Sequence, residues 1–456
     1  MISLDCYRNK RVGVIGLGKT GQAVVAALRE GGAHVSAHDD FLISGDQYNN
    51  LELFDFDWST MDFLVISPGV NLLWPNKNLA VELAQKHFVP IINDIDLFQS
   101  QVLGKKICLT GTNGKSTTAA LIDHIFKRGG KYSSIGGNFG NSVFSLEANS
   151  EFYVLELSSY QLESCNILGF DTAVLLNIRP DHLARHGGMA GYVAAKQKIF
   201  GNFGTESKAV IGIDDEHCLE IGRFLKTIKQ PNIITVSGEM VPDLGVGWSE
   251  ESLIDNRSGS FVTVCAAPPQ LDGVHNRQNI AAAYAVCVAN GLNGDDFCKG
   301  LCSFDGLEHR QEFVDDIYGI HYINDSKATN ADAAEQALRR FNKIIWILGG
   351  RPKENGIFSL VKYFPRIKFA LLIGEAAEEW SQFLEANGVG NEVSGTLDVA
   401  VSRANEISKK YQAEVVLLSP ACASFDQFKD FEDRGNRFKK LVGDLRRKAV
   451  DFDCDK

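Results

Sequence analysis

The sequence has no Cys-x-x-Cys pair, few prolines, and no apolar run long enough for a membrane helix. Its ten cysteines are scattered through 456 residues, several inside apolar runs such as KICLTG and AYAVCVAN. That pattern fits reduced, buried thiols rather than a disulfide framework, because disulfides persist mainly in oxidising compartments. The start, MISLDCYRNKRVGVIG, has no charged-then-apolar signal segment. No stretch reaches the ~18 to 20 apolar residues of a spanning helix. A cytoplasmic protein without membrane attachment is expected. Basic charge is also short, with 46 Lys+Arg against 57 Asp+Glu and a net charge of −11. A fold-wide basic field for nucleic acid is thereby disfavoured, although a local basic pocket is not. Proline is scarce (11) and glycine plentiful (43), which suits many tight strand-to-helix turns.

What is present is an alternation of short β-branched runs and amphipathic stretches. RVGVIG, FLVIS, KICLTG, FYVLEL, TAVLLNI, AVIGID, KIIWILGG, FALLIG and EVVLLSP read as strands buried on both faces. Between many of them lie helical patterns closed by glycine, such as TGQAVVAALREGG and KSTTAALIDHIFKRGG. The pattern predicts an α/β fold with mainly parallel sheets. At roughly 100 to 200 residues per domain, the length suggests three domains. The groups of strands divide at 1–100, 101–305 and 306–456, with helices expected at 276–290 and 294–302.

Two glycine-rich turns carry the first chemistry. Gly16-Leu17-Gly18-Lys19-Thr20-Gly21 follows a strand and opens a helix, and Asp39 and Asp40 end the next strand. Such a turn lets the backbone approach a diphosphate while the acid accepts from a ribose hydroxyl. A nicotinamide dinucleotide and a nucleotide-sugar diphosphate both satisfy it. Ser67-Pro68-Gly69-Val70 should lie on the same strand edge. The second turn, Gly111-Thr112-Asn113-Gly114-Lys115-Ser116-Thr117, joins the strand KICLT to a helix. The strict phosphate-loop pattern wants glycine where Leu109 stands. Even so, two glycines, a mobile lysine and hydroxyls able to meet Mg²⁺ read as an ATP site. Glu156 ends the strand FYVLE and His182 lies just beyond TAVLLNI, so both fall on that carboxyl edge. A strand-end glutamate beside a phosphate loop is a candidate Mg²⁺ ligand. Lys196 alone would pass for a surface lysine.

Taken in order, GTNGKST, ELSSYQLE, NIRPDHL, YVAAKQKIF, HNRQNIAAA, LEHRQE, INDSKATN and SPACASFDQF resemble the Mur ligases across essentially the whole chain. SKATN and SPACASFDQF favour the branch that adds D-glutamate. The resemblance implies three domains: N-terminal Rossmann-like, central ATP-binding with a mainly parallel sheet, and C-terminal Rossmann-like. It implies an ATP-dependent ligase of peptidoglycan precursor synthesis. An acyl phosphate of UDP-N-acetylmuramoyl-L-alanine would be displaced by D-glutamate, releasing ADP and phosphate.

By the same resemblance, Gly111, Thr112, Asn113, Gly114, Lys115, Ser116, Thr117, Asn276, Asn279, Arg310 and Asp325 serve ATP. Lys115, Glu156, His182 and Lys196 are catalytic. Ser116, Glu156, His182 and Lys196, the last as a CO₂-derived carbamate, attend two Mg²⁺ sites. Gly18, Lys19, Thr20, Asp39, Ser67, Asn138 and His182 face the UDP-substrate. Lys327, Thr329, Lys353, Ser424, Phe425 and Phe431 face D-glutamate. The family further implies a monomer. Asp40-Phe41 departs from relatives that carry a small polar and a basic residue there.

Overall fold

The computed structural model describes residues 2–40, 50–72, 77–166, 169–228, 232–268, 271, 273–352 and 356–454. The chain forms two compact units, Met1–Asp305 and Gly306–Lys456. It is α/β throughout. Among the described residues, no helix is long and apolar enough to cross a membrane.

The first unit holds two sheets. The smaller contains β1 (Arg11–Ile15), β2 (His34–His38), β3 (Phe63–Ile66) and β4 (Ile91–Ile92), all parallel in the order β2-β1-β3-β4. The larger contains β5 (Lys105–Thr110), β6 (Ser133–Gly137), β7 (Phe152–Glu156), β8 (Thr172–Leu175), β9 (Lys208–Gly212), β10 (Asn232–Val236), β11 (Val246–Ser249), β12 (Ser252–Asp255) and β13 (Val262–Ala266). Its order is β13-β12-β11-β10-β9-β8-β5-β7-β6, antiparallel only at the β11-β12-β13 end. All of β7 and β8 is buried, as apolar runs without alternation require.

Both faces of the larger sheet are covered. On one, Val12, Val24 and Leu28 join a core that includes Phe98, Tyr153 and Leu175. On the other, Leu121, Ile125 and Phe126 pack with Ile280 and Val286 of the helix Val274–Ala289. Ala281, Ala282, Ala283 and Ala285 are fully buried there, and such small side chains let helices approach closely.

A buried polar lattice joins the end of the smaller sheet to the helix Ser159–Ser164. Asn93 caps the helix Asp94–Gln99 and donates to Gln161 O at 2.9 Å and Ser164 Oγ at 3.0 Å. Asp96 Oδ1 accepts from Cys165 Sγ at 3.1 Å. Asp94 lies in the same lattice with no partner for Oδ1 among the described residues, and burial pushes its carboxyl up to about 6. Because its folded value lies above the unfolded one, ionisation opposes folding. That penalty is absent at pH below ~4 and complete above about 6. Asp94→Asn should therefore raise stability at pH 8 by on the order of 2 kcal/mol and leave it nearly unchanged at pH 3.5, as read by denaturant midpoints.

The second unit is built on β14 (Glu312–Ile317), β15 (Ile320–Asn324), β16 (Ile344–Gly349), β17 (Ile367–Ile373), β18 (Asn391–Gly395) and β19 (Val415–Leu418). The order is β14-β15-β19-β16-β17-β18, parallel except for the β14-β15 hairpin. Trp346 and Trp380 anchor one core, and Phe438 and Val442 of the last helix the other.

Candidate active site

The carboxyl ends of β5, β6, β7 and β8 converge on one pocket. Lys115, Asn138, Ser158, Ser159, Tyr160, Asp181, His182, Tyr192 and Lys196 line it, with Pro68 from the loop after β3. The loop after β5 delivers Lys115 as first residue of the helix Lys115–Arg128, whose cap, Gly114, has φ +83°. A helix N-terminus with a left-handed glycine beside it presents backbone N–H groups to an anion. Thr117 is half-buried in the first turn.

Cross-links hold this loop in shape. Thr112 N donates to Asn177 O at 2.8 Å, and Asn113 N to Asn177 Oδ1 at 2.8 Å. Thr112 Oγ1 lies 3.1 Å from Tyr192 Oη. A Cβ at Gly114 would sit 2.2 Å from Asn279 Oδ1, and Asn279 Nδ2 donates to Asn276 Oδ1 at 3.2 Å. The two amides thus share a helix face against the turn. Gly114→Ala combines that collision with a left-handed backbone. It should cost about 1–3 kcal/mol of local strain and weaken nucleotide binding about ten-fold or more, measurable by calorimetry.

Glu156 is 2% exposed. Its Oε2 accepts from Ser116 Oγ at 2.7 Å and its Oε1 from Asn138 Nδ2 at 3.0 Å. Three residues inferred from separate motifs therefore form one oxygen-rich cluster. Among the described residues, no group of three or more His, Cys, Asp or Glu forms a ready metal cage. Glu156 and Ser116 fit Mg²⁺ as hard oxygen donors, since that ion draws much of its shell from phosphate and water.

His182 caps a short helix with φ +51°. Its Nδ1 is 3.1 Å from Tyr160 Oη, and its Nε2 is 3.3 Å from Asp181 Oδ2. The imidazole is thus oriented from both nitrogens.

Lys196 is the least ordinary group. It is 1% exposed, donates to Gly111 O at 2.8 Å and Thr110 Oγ1 at 3.3 Å, and lies 4.8 Å from the Tyr192 ring centroid. Burial, and secondarily the Lys115 charge, lower its ammonium to about 7. Tyr192 is pushed up to about 12 by burial, so its hydroxyl keeps its proton.

The first glycine turn closes on itself. Leu17 N donates to Asp39 Oδ2 at 2.6 Å, and Ser67 Oγ to Gly16 O at 2.6 Å. Lys19 Nζ donates to Gly140 O at 2.7 Å, linking the turn to the loop that begins with Asn138. Gly18 is exposed and Thr20 half-buried in the same turn. Phe41 lies outside the described residues.

In the second unit, Asp325 is buried after β15, accepting from Ser419 Oγ at 2.7 Å and Gln311 N at 3.1 Å. Burial pushes it up to about 7. Arg310 precedes Gln311 and contributes charge near Asp325. Lys327 Nζ is 3.5 Å from the Phe431 ring centroid, and Thr329 N donates to Lys327 O. Ser424 is buried and Phe425 is exposed. Lys353 lies outside the described residues.

Some contributors lacked a role in the motif reading. Tyr192 stands one helical turn before Lys196, and Asn177 just past β8; both positions were available signals. Arg434 gave none. It is 1% exposed and donates to Ser326 O at 2.8 Å and Cys422 O at 3.1 Å, pinning the SKATN loop to the ACAS loop.

Comparison with known proteins agrees with this geometry. Residues 109–287 match the Mur ligase middle domain, and residues 309–422 the Mur ligase glutamate ligase domain. The UDP-N-acetylmuramoylalanine--D-glutamate ligase of Caulobacter sp. (strain K31) is 42% identical over 469 residues, covering 99% of each chain. Its namesake from Rhodospirillum rubrum is 42% identical, covering 98% of this chain and 97% of its own. In fold, the crystal structure of UDP-N-acetylmuramate-alanine ligase MurC from Thermotoga maritima superimposes with a TM-score of 0.58 at 18% identity, covering 95% of this chain and 99% of its own. MurF from Acinetobacter baumannii gives 0.58 at 20% identity, covering 88% and 89%. With the pocket, its phosphate turn and near-full-length relatives at this identity, the chain belongs to the Mur ligase family.

Proposed function

We propose that the pocket at the ends of β5–β8 performs the phosphoryl step of an ATP-dependent ligase that adds D-glutamate to UDP-N-acetylmuramoyl-L-alanine. ADP and phosphate are the other products. The observation that carries the reading is the convergence of Lys115, Asn138, His182 and buried Lys196 on one pocket, with Asn138 bonded to Glu156 and Glu156 to Ser116 behind it.

A substrate carboxylate and the ATP γ-phosphate repel each other, so the site must neutralise charge and align the reactants. The N-terminus of the helix Lys115–Arg128 offers N–H groups to the phosphates, while those of Thr112 and Asn113 are held by Asn177 and keep the turn in shape. Lys115, which rests on Thr112 O at 2.9 Å, supplies a mobile cation. Ser116 and Glu156 would hold Mg²⁺, which when bound would offset phosphate charge. Asn138 and His182 face the muramoyl substrate, whose carboxylate oxygen attacks phosphorus as the bond to ADP breaks. The D-glutamate amine then attacks the acyl carbon, phosphate leaves, and the amine proton passes to solvent.

Lys196 fits a carbamate. With its ammonium lowered to about 7, much of the amine is neutral at physiological pH and nucleophilic toward CO₂. The N–C bond forms, one C=O electron pair moves to oxygen, and a proton is lost. The resulting anion would face the second Mg²⁺ site.

In the second unit we assign Arg310 and Asp325 to the nucleotide. Lys327, Thr329, Lys353, Ser424, Phe425 and Phe431 are assigned to D-glutamate, whose two carboxylates need cations and donors to be desolvated. Asn276 and Asn279 attend the adenine and phosphate side. Gly18, Lys19, Thr20, Asp39 and Ser67 hold the UDP end. The protein is proposed to act as a cytoplasmic monomer, with three domains at 1–100, 101–305 and 306–456. Phosphate release from ATP, Mg²⁺ and UDP-N-acetylmuramoyl-L-alanine with a panel of amino acids tests the reading. Turnover with D-glutamate alone is expected; turnover only with another amino acid overturns the substrate assignment.

A further inference from the structure

Arg185 lies outside the pocket lining, yet it touches two segments that form it. Its side chain and that of Glu163 are 9% and 10% exposed. Nε and one terminal nitrogen donate to Glu163 Oε2 at 3.0 and 2.8 Å. The same terminal nitrogen donates to Val70 O at 2.7 Å. The guanidinium lies 4.9 Å from the Tyr160 ring centroid, and Tyr160 Oη is 3.1 Å from His182 Nδ1. On the other side, Val70 N donates to Ser67 O, and Ser67 Oγ donates to Gly16 O. The contacts run without a break from the first glycine turn, through the loop after β3, to the imidazole.

Glu163 alone satisfies the charge, and it also meets His186 Nδ1 at 3.2 Å. The bond to Val70 O is not needed for that pairing. It fixes the loop after β3 against the element that starts at His182, and the planar fork allows both contacts at once.

We infer that Arg185 is a positioning residue that ties the UDP-side loop to Tyr160 and His182, so that the UDP-substrate and the phosphoryl step share one geometry. This rests on the function proposed above. Arg185→Lys keeps a cation for Glu163 but cannot fork to Val70 O. It should raise KM for UDP-N-acetylmuramoyl-L-alanine about ten-fold and lower kcat several-fold, with KM for ATP within about two-fold of the parent. Glu163→Gln keeps the bond to Val70 and should lower Tm with little change in KM for the UDP-substrate. Arg185→Gln serves if the lysine variant does not fold. Equal changes in both KM values, no change in either, or a Glu163→Gln effect as large as that of Arg185→Lys would overturn the inference. A parent enzyme that releases no phosphate with D-glutamate fails the functional reading instead.

Discussion

Lys196→Ala should lose about 10²- to 10³-fold in kcat, the range for removing a preorganised electrostatic group. Short carboxylates such as formate or acetate should restore part of it. The side chain is buried on Gly111 O and Thr110 Oγ1, so alanine leaves a small polar gap that a carboxylate can enter. In the parent enzyme, activity should fall as pH drops through about 7, because the protonated amine cannot capture CO₂. Bicarbonate-depleted buffer should deepen that fall. Full activity of the alanine variant, or no rescue at any carboxylate concentration, would sink the carbamate.

Lys115→Met should abolish turnover to a similar degree, with loss of about 10² to 10³ in kcat and Tm within a few degrees of the parent. The side chain is half-buried and donates to the neighbouring Thr112 carbonyl, and methionine keeps most of its apolar stem. A second consequence separates this variant from a simple phosphate-contact loss. The Lys115 charge helps to lower Lys196, so removing it should move Lys196 upward. Carbamate occupancy, measured by ¹³C NMR with labelled bicarbonate, should then demand higher pH. Unchanged occupancy would show that burial alone sets the Lys196 amine.

Much of this was legible because apolar strands and glycine turns are local signals. RVGVI, FLVI and KICLT are short, largely apolar runs rich in Val and Ile, and each ends where a turn residue must stand. Two of the strands that escaped pattern reading are poor in apolar residues. SSIGG at Ser133–Gly137 and NEVSG at Asn391–Gly395 are strands through their pairing with β7 and β17 rather than their own propensity. VGWS and SLID form a hairpin whose two-residue turn has no Asn-Gly signal, since Glu250 takes the left-handed conformation at φ +53°.

At the site, the phosphate turn was legible because its chemistry lies within seven consecutive residues. Lys196 was not, since a helical lysine announces neither burial nor a lowered ammonium; only the resemblance marked it. The first glycine turn shows the converse. A dinucleotide oxidoreductase satisfied its pattern equally well, and the remaining pocket and the full-length relatives decide against that reading.

The most direct test of the account is the fate of carboxylate oxygen. UDP-N-acetylmuramoyl-L-alanine carrying ¹⁸O in its alanyl carboxylate should, on turnover with ATP and D-glutamate, transfer one labelled oxygen to the released phosphate. Amide formation with no ¹⁸O in phosphate would contradict the acyl-phosphate route on which the assigned roles of Lys115, Glu156, His182 and Lys196 depend.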